Sequence, residues 1–281
     1  MTGVLVTGGT GKTGRALVGL LRAGEVPARV ASRNPAAGDP EAVRFDWNDP
    51  ATFTDALRGT DRVFLVPPVE SVDPMPLVRP FLEQARAVGV RRVVLLGSAI
   101  VLPNAPSALD MADYVRALPG GVVLRASGFM QNFLRPHPIG ESISSLRTIS
   151  TAAGDGRVGW IDARDIALSA AALLTAADDR RSVDDDYLLT GPKALSYQEA
   201  ADIISAQTEQ HVRVDKITTE QQIAAYRAAG MPAEFASAVA SVEEGIRAGR
   251  EDRVSTAVLD LTGRPPRSFA EFAQDHGPDW Q

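Results

Sequence analysis

The feature that most restricts what this chain can fold into is a cluster of glycines close to its start. The short apolar run Val4–Val6 leads directly into the segment Thr7-Gly8-Gly9-Thr10-Gly11-Lys12-Thr13-Gly14, and apolar residues then recur at helical spacing as far as Ala23. In such a unit one glycine makes the tight turn, one lets the backbone approach a pyrophosphate, and one lets helix and strand pack closely. The segment therefore predicts a dinucleotide site at the start of a helix, where exposed N–H groups and the helix dipole hold the anion. The predicted cofactor contacts here are Gly8, Thr10, Gly11, Lys12, Thr13 and Gly14.

Short apolar runs alternate with helical patterns through the first half of the chain. Further strands are predicted at 28–32, 43–46, 63–66, 93–96 and 122–125, with helices at 80–88 and 108–118. Fully apolar strands need cover on both faces, so this order predicts an α/β fold with a doubly wound parallel sheet of Rossmann type.

The second half changes character and becomes mostly helical, apart from late strand-like runs. We therefore predict a cofactor-binding domain over 1–150, with later strands returning to it near 151–192. The remaining residues, 193–281, are predicted to form a smaller, mostly helical substrate-binding portion.

Composition excludes several function classes. The chain has no cysteine, its three histidines are far apart, and its net charge is −6. These counts argue against a disulfide framework, a local zinc site and a nucleic-acid-binding face. No apolar run approaches the roughly 18 to 20 residues of a membrane helix, and no secretory signal precedes the first strand. We expect a cytoplasmic protein with no metal, whose partner is a small-molecule substrate; the sequence leaves its oligomeric state open.

The second strand ends in Ser32-Arg33, about 20 residues past the last glycine. An NAD-preferring site would place Asp or Glu there to bind the ribose hydroxyls. A guanidinium instead suits a phosphate dianion, so Ser32 and Arg33 predict NADPH/NADP in preference to NADH. A solvated loop arginine is the alternative.

Two further pairs follow strands at the same predicted edge of the sheet. Asp46 and Trp47 follow the third strand, where they would contact and flank the adenine, or else form a strand end and part of the core. Val66 and Pro67 close the fourth strand and complete the predicted cofactor contacts.

Segments along nearly the whole chain resemble one family. Leu124-Arg125-Ala126-Ser127-Gly128-Phe129-Met130-Gln131-Asn132-Phe133 is similar to its LRP-x-x-F-M-x-N-F pattern, with Ala126 where proline is common. The glycine segment, 31–33, 162–167, 187–192 and 261–269 also fit. The chain thus resembles the NmrA-like atypical short-chain dehydrogenase/reductases. The resemblance implies NADPH binding by a member of a group that includes quinone, ketone and iminium reductases and non-catalytic redox sensors.

The chain departs from the larger superfamily at the expected proton donor, a tyrosine with a lysine four residues later. Four residues after Tyr114, Tyr187, Tyr197 and Tyr226 stand Leu, Gly, Ala and Gly. Three accounts remain open: another donor stabilises the nascent alkoxide, the substrate needs little acid catalysis, or no reaction occurs. Ser98, predicted just past the strand at 93–96, is the candidate catalytic hydroxyl, with a loop or helix cap as the alternative.

Phe129, Met130 and Asn132 are the predicted substrate contacts, although Phe and Met at such positions are as often core residues. A buried Asn amide needs partners, which a substrate would supply. His137 is interpreted as a surface-loop residue, and Asp162 and Asp165 as residues at a helix start.

From these features we expect an NADPH-dependent ketoreductase that transfers hydride to a carbonyl of a bulky, aromatic, polyketide-like metabolite of secondary metabolism. An NAD(P)H quinone oxidoreductase is the alternative within enzymes. A non-catalytic NADP-sensing regulator is the alternative from another class.

Overall fold

The computed structural model describes residues 3–68, 73–100, 106–177, 185–228 and 230–281, without the side chains of 106–108. Packing divides the chain into two compact units, each built from several segments. The first unit comprises Met1–Ser98, Ala105–Arg125 and Ala163–Leu188, and the second comprises Ala99–Asn104, Ala126–Asp162 and Leu189–Gln281.

The strands, in chain order, are β1 (Val4–Val6), β2 (Ala28–Ser32), β3 (Ala42–Arg44), β4 (Arg62–Leu65), β5 (Arg92–Ser98), β6 (Gly121–Ala126), β7 (Thr148–Thr151), β8 (Arg157–Val158), β9 (Asp186–Leu189), β10 (Leu195–Ser196) and β11 (Arg213–Lys216). The helices are α1 (Lys12–Ala23), α2 (Ala51–Leu57), α3 (Met75–Ala87), α4 (Pro106–Ala117), α5 (Pro138–Leu146), α6 (Ala163–Thr175), α7 (Tyr197–Thr208), α8 (Thr219–Ala228), α9 (Ala233–Arg247), α10 (Ala257–Thr262) and α11 (Phe269–His276), with 3₁₀ turns at Met130–Phe133 and Gly277–Trp280.

Seven strands form one sheet in the order β3-β2-β1-β4-β5-β6-β9. The pairs from β3 to β5 are parallel. Backbone bonds from Val93 to Gly120 and from Ala99 to Ala126 advance together along β5 and β6, as parallel strands require. The order reverses between β1 and β4, which is the switch point where doubly wound sheets bind ligands. The predicted Rossmann-type α/β sheet is confirmed.

The first unit buries an aromatic core on one face of this sheet. Phe45, Phe53 and Phe81 pack with ring centroids 5.3 to 5.4 Å apart. Ala31 of β2 and its register partner Val43 of β3 belong to the same cluster. Because side chains alternate along a strand, their neighbours on β2 and β3 point to the other face.

The second unit has its own core around Phe133, Trp160 and Trp280. The indole N–H of Trp160 donates to the carbonyl of Leu195 at 3.1 Å, and that of Trp280 donates to the carbonyl of Phe133 at 2.6 Å. Two small sheets flank this core, with β7 and β11 parallel and β8 and β10 antiparallel.

Several element bounds differ from the sequence-based predictions. β3 ends at Arg44 instead of 46, and β5 continues through Ser98 instead of ending at 96. The helix predicted from 80 begins at Met75, and Pro80 lies inside it on an exposed side. β7, β8, β10 and β11 were not predicted.

The compact units also cross the boundaries predicted for the two domains. Residues 126–162 pack with the C-terminal part of the chain, whereas the prediction placed most of them in 1–150. The assignment of cofactor and substrate roles to 1–150 and 193–281 stays a prediction, because packing alone does not report what each part binds. No helix within the described ranges combines the length and apolarity needed to cross a bilayer.

Candidate cofactor and substrate sites

The glycine segment forms a turn between β1 and α1 at the switch point of the sheet. Gly8 adopts a positive φ of 60°, and the N–H of Gly11 donates to its carbonyl at 2.9 Å. Gly11 occupies the N-cap of α1 without a side-chain cap, and the first turn carries no acidic residue. The start of the helix is therefore open to an anion, which its dipole favours.

The loop has room for a dinucleotide only because its glycines lack side chains. A Cβ on Gly14 would lie 2.2 Å from the carbonyl oxygen of Gly8, and a Cβ on Gly9 would lie 2.7 Å from Cγ1 of Val30. Gly9 and Gly14 are buried, while Gly8, Thr10 and Gly11 are exposed. The residues present thus fit the phosphate-binding role, with two glycines closing the turn and the exposed ones facing solvent.

The polar residues of the glycine segment differ in burial. Thr13 is buried in the first turn of α1, whereas Lys12 is exposed and has its pKa lowered by partial desolvation. The guanidinium of Arg15 donates to the carbonyl of Thr10 at 3.0 Å, which fixes the exposed side of the turn.

Val66 and Pro67 lie beside this turn. Thr7 accepts a hydrogen bond from the N–H of Val66 at 2.7 Å, and a Cβ on Gly8 would lie 3.1 Å from Cβ of Val66. Both residues are half-buried immediately after β4. The structure thus brings the two predicted segments together at one edge of the sheet.

Ser32 ends β2 at the same edge, and Arg33 directly follows it. The hydroxyl of Ser32 accepts the N–H of Asn34 at 3.2 Å and donates to its carbonyl at 3.1 Å, which forms a compact turn. Arg33 is exposed, and its guanidinium makes no ion pair or hydrogen bond with any residue in the described ranges. It is therefore accessible to a phosphate.

Asp46 and Trp47 follow β3. One carboxylate oxygen of Asp46 accepts the N–H of Asn48 at 3.0 Å. Trp47 packs edge-on against Phe45 and Phe81, with centroids at 4.8 and 5.4 Å. The contacts favour the core interpretation for Trp47, although part of its ring stays exposed.

Ser98 is the exposed last residue of β5, inside the strand and not beyond it as predicted. It lies three residues past Leu95, whose partner Leu65 ends β4. A hydroxyl at that position stands at the carboxyl edge of the sheet, where ligands of such folds bind.

The predicted substrate contacts lie in the second unit. Phe129 pairs with Ile161 through an isolated bridge and is half-buried. Met130 is 1% exposed and packs in the second core, which favours its core interpretation. Asn132 is half-buried, and its side-chain amide has no hydrogen-bond partner among the residues that the structure describes. The amide is therefore available for a hydrogen bond to a ligand.

Two other polar predictions resolve into structural roles. Asp162 directly precedes α6 and accepts the amide of Gln131 at 3.0 Å, and Asp165 lies buried in the first turn of that helix. His137 caps α5 by accepting the N–H of Ile139 at 3.3 Å. The sequence missed this cap because no Ser, Thr, Asp or Asn marks it.

Three of the four tyrosines are held by contacts with other residues of the protein. Tyr114 packs against the first core with the guanidinium of Arg79 4.8 Å from its ring centre. Tyr197 is buried in the second core, and burial raises its pKa well above the usual value. Tyr226 donates to Glu243 at 2.9 Å, and its pKa is also raised, first by burial and then by that carboxylate.

The fold and the glycine turn together define a Rossmann-type dinucleotide-binding protein. A family model described as NAD(P)H-binding matches residues 8–177. The uncharacterized oxidoreductase YesF of Bacillus subtilis is 39% identical over 279 residues, which cover 99% of this chain and 96% of that protein. The agroclavine dehydrogenase of Claviceps fusiformis is 34% identical over 288 residues, covering 99% and 98%.

Among solved structures, the NADPH-dependent quinone oxidoreductase of Escherichia coli in complex with NADPH superposes with a TM-score of 0.80. Its identity is 22%, over 97% of this chain and 99% of that one. This likeness shows the shared fold.

The chain belongs to the NAD(P)H-binding family that the model describes, and the predicted membership of the atypical short-chain dehydrogenase/reductases is confirmed. It is an NAD(P)H-dependent oxidoreductase.

Proposed function

We propose that the protein is an NADPH-dependent reductase that transfers hydride to a bulky aromatic metabolite, with a ketone carbonyl as the acceptor. The observation that carries the NADPH preference is Arg33, an exposed guanidinium without a partner in the described ranges, at the strand end where NAD-specific sites hold a carboxylate.

The glycine turn supplies the binding energy for the pyrophosphate. No side chain caps the start of α1, and no acidic side chain in the first turn of that helix repels an anion. Val66, packed on Gly8, is proposed to limit how the cofactor lies along the edge of the sheet.

The nicotinamide supplies the hydride, and the protein supplies orientation and a polar contact for the oxygen that gains charge. We assign that contact to Ser98, whose exposed hydroxyl ends β5 at the carboxyl edge of the sheet. A hydroxyl that donates a hydrogen bond to a developing alkoxide stabilises the transition state more than the ground state, because the negative charge is present only there.

Apolar side chains that are half-buried or exposed in the second unit support an aromatic substrate. Phe129 is half-buried, and Phe235, Val254 and Leu259 are exposed by 38 to 53%. We propose that an aromatic ligand buries some of these side chains, since ligand sites are lined mainly by apolar residues. Asn132 would then orient the substrate through its unpaired amide.

A quinone or another electron-poor conjugated acceptor is the second candidate, because such substrates accept hydride without a strong acid. The missing tyrosine–lysine pair favours it. The agroclavine dehydrogenase relative, named for an alkaloid, and the quinone oxidoreductase with the same fold are consistent with either type of acceptor.

The test is the loss of near-ultraviolet absorbance of the reduced nicotinamide, measured with NADPH and NADH against polycyclic aromatic ketones and simple quinones. Turnover of a polycyclic ketone with NADPH alone supports the leading proposal. Turnover of simple quinones alone supports the second candidate. Tight NADP binding without turnover on any acceptor overturns both and favours a sensor.

The role of Ser98 has a separate test. Replacing Ser98 with Ala should lower kcat about a hundredfold with little change in KM for NADPH, as for loss of one donor to an oxyanion. Ser98→Thr keeps the hydroxyl and should retain much of the activity. Unchanged kcat in Ser98→Ala would remove this residue from the mechanism.

A further inference from the structure

The sheet places a second arginine beside the strand end that Arg33 follows. Ser32 of β2 and Arg44 of β3 are register partners, and the N–H of Phe45 donates to the carbonyl of Ser32 at 2.9 Å. Neighbouring strands lie about 4.8 Å apart, so the backbone of Arg44 is one strand spacing from that of Ser32.

The pairing also fixes the face on which Arg44 lies. Ala31 and Val43, one residue earlier in each strand, are partners in the aromatic core on one face of the sheet. Side chains alternate along a strand, so Ser32 and Arg44 lie on the opposite face. Val30, which shares that face, contacts Gly9 of the cofactor loop. Arg44 therefore stands on the same face as the glycine turn.

The present partner of Arg44 leaves it available. Its guanidinium is 3.6 Å from a carboxylate oxygen of Asp49, and the two side chains are 64% and 41% exposed. Exposed pairs at this separation contribute little to stability, so a stronger partner can replace Asp49. Because Asp49 lies beyond the end of β3, this contact also places the guanidinium at the carboxyl edge, where β2 ends in Ser32.

We propose that Arg44 is a second determinant of cofactor choice, which binds the 2′-phosphate of NADP(H) together with Arg33. This inference rests on the proposed NADPH preference. Two guanidiniums on adjacent strand ends would contact the phosphate from two sides, and Asp49 is the carboxylate that releases Arg44 when the phosphate arrives. A carboxylate this close to the site also repels a poorly placed phosphate.

The experiment measures dissociation constants of NADP⁺, NAD⁺ and 2′,5′-ADP by calorimetry, which needs no substrate. The variants are Arg44→Gln, Arg33→Gln, Asp49→Asn and, as a charge-matched control, Arg58→Gln. Arg58 directly follows α2, is 74% exposed and pairs with Asp55 instead of Asp49, so its loss changes the net charge equally.

Arg44→Gln should weaken NADP⁺ and 2′,5′-ADP about tenfold and leave NAD⁺ unchanged, the effect of losing one charge-assisted hydrogen bond. Asp49→Asn should bind NADP⁺ as tightly as the wild type or more tightly, and Arg58→Gln should match the wild type. Added salt should reduce the difference between wild type and Arg44→Gln.

Three results overturn the proposal, and they separate it from the proposed function. If Arg33→Gln loses discrimination between NADP⁺ and NAD⁺ while Arg44→Gln keeps it, only the role of Arg44 fails. If Arg44→Gln weakens both cofactors equally, its effect is structural and the assignment again fails. If the wild type binds NADP⁺ no more tightly than NAD⁺, the NADPH preference and the role of Arg44 fail together.

Discussion

Replacing Gly14 with Ala tests whether the glycine turn is a cofactor cradle or an ordinary connection. The new Cβ would lie 2.2 Å from the carbonyl oxygen of Gly8 and 2.8 Å from Cα of Gly9. The first separation is more than about 1 Å inside ordinary contact. The obstructing atoms belong to the backbone, so the loop itself must move away from α1.

The size of the effect follows from this displacement. Overpacking of a well-packed site costs about 1 to 3 kcal/mol of unfolding free energy. A shift of about 1 Å in groups that position a ligand costs roughly a hundredfold in function. We therefore expect Gly14→Ala to fold with reduced stability and to bind NADP⁺ about a hundredfold more weakly.

The same helix provides a matched control. A Cβ on Gly19 would meet no atom within 4 Å, and Gly19 lies exposed in α1. Gly19→Ala should stabilise the helix by about 0.5 to 1 kcal/mol, since Gly is the poorer helix former, and should leave binding unchanged. Thermal unfolding and calorimetric titration with NADP⁺ measure both quantities. Gly14→Ala that binds NADP⁺ like Gly19→Ala would refute the cradle argument.

Three further predictions concern the second unit. Glu243→Ala should lower the unfolding free energy by about 3 kcal/mol in denaturant titrations. The buried carboxylate accepts hydrogen bonds from the hydroxyls of Tyr226 and Thr151 and from the N–H of Ala152. A loss below about 1 kcal/mol would contradict this. The backbone N–H of Ser196 donates to Glu199 and lowers its pKa below the ordinary 4.5. The contribution of Glu199 to the free energy of unfolding is therefore complete above pH 4.5, and it is lost as the pH falls through the lower pKa of the folded state. The Tm difference between wild type and Glu199→Gln should accordingly shrink below about pH 4.5, and a constant difference would disprove the linkage. Gly128→Ala should destabilise by about 1 to 3 kcal/mol in the same titrations, since its Cβ would lie 2.5 Å from the ring of Trp160, and an unchanged midpoint would argue against that contact.

The cofactor end of the fold was predictable because its information is local. Gly8 to Gly14 lie within one turn between a strand and a helix, and the spacing alone indicates the geometry. The position of Arg33 at a strand end followed from counting residues past that turn. Arg44 was missed because its relation to Ser32 depends on register between two strands, which no local pattern records.

The second unit was predictable only in outline. The helices α8 and α9 lie within the portion, 193–281, that the sequence predicts to be mostly helical. The pairing of β7 with β11 joins segments more than sixty residues apart, and no local pattern records such a pairing. Likewise, Met130 was predicted to contact the substrate, and only packing shows that it belongs to a core.

The chain passes back and forth between the two compact units, and this limits how such a protein can change during evolution. Neither compact unit is a continuous stretch, and α6, which packs against α1, comes after the first long excursion into the second unit. A cut near residue 150 would strip α1 of that helix, so the two halves cannot be inherited, exchanged or expressed as modules. New substrates must therefore arise by substitutions within one intact chain, and chimaeras between relatives would need five matched crossovers, one at each place where the chain passes from one unit to the other.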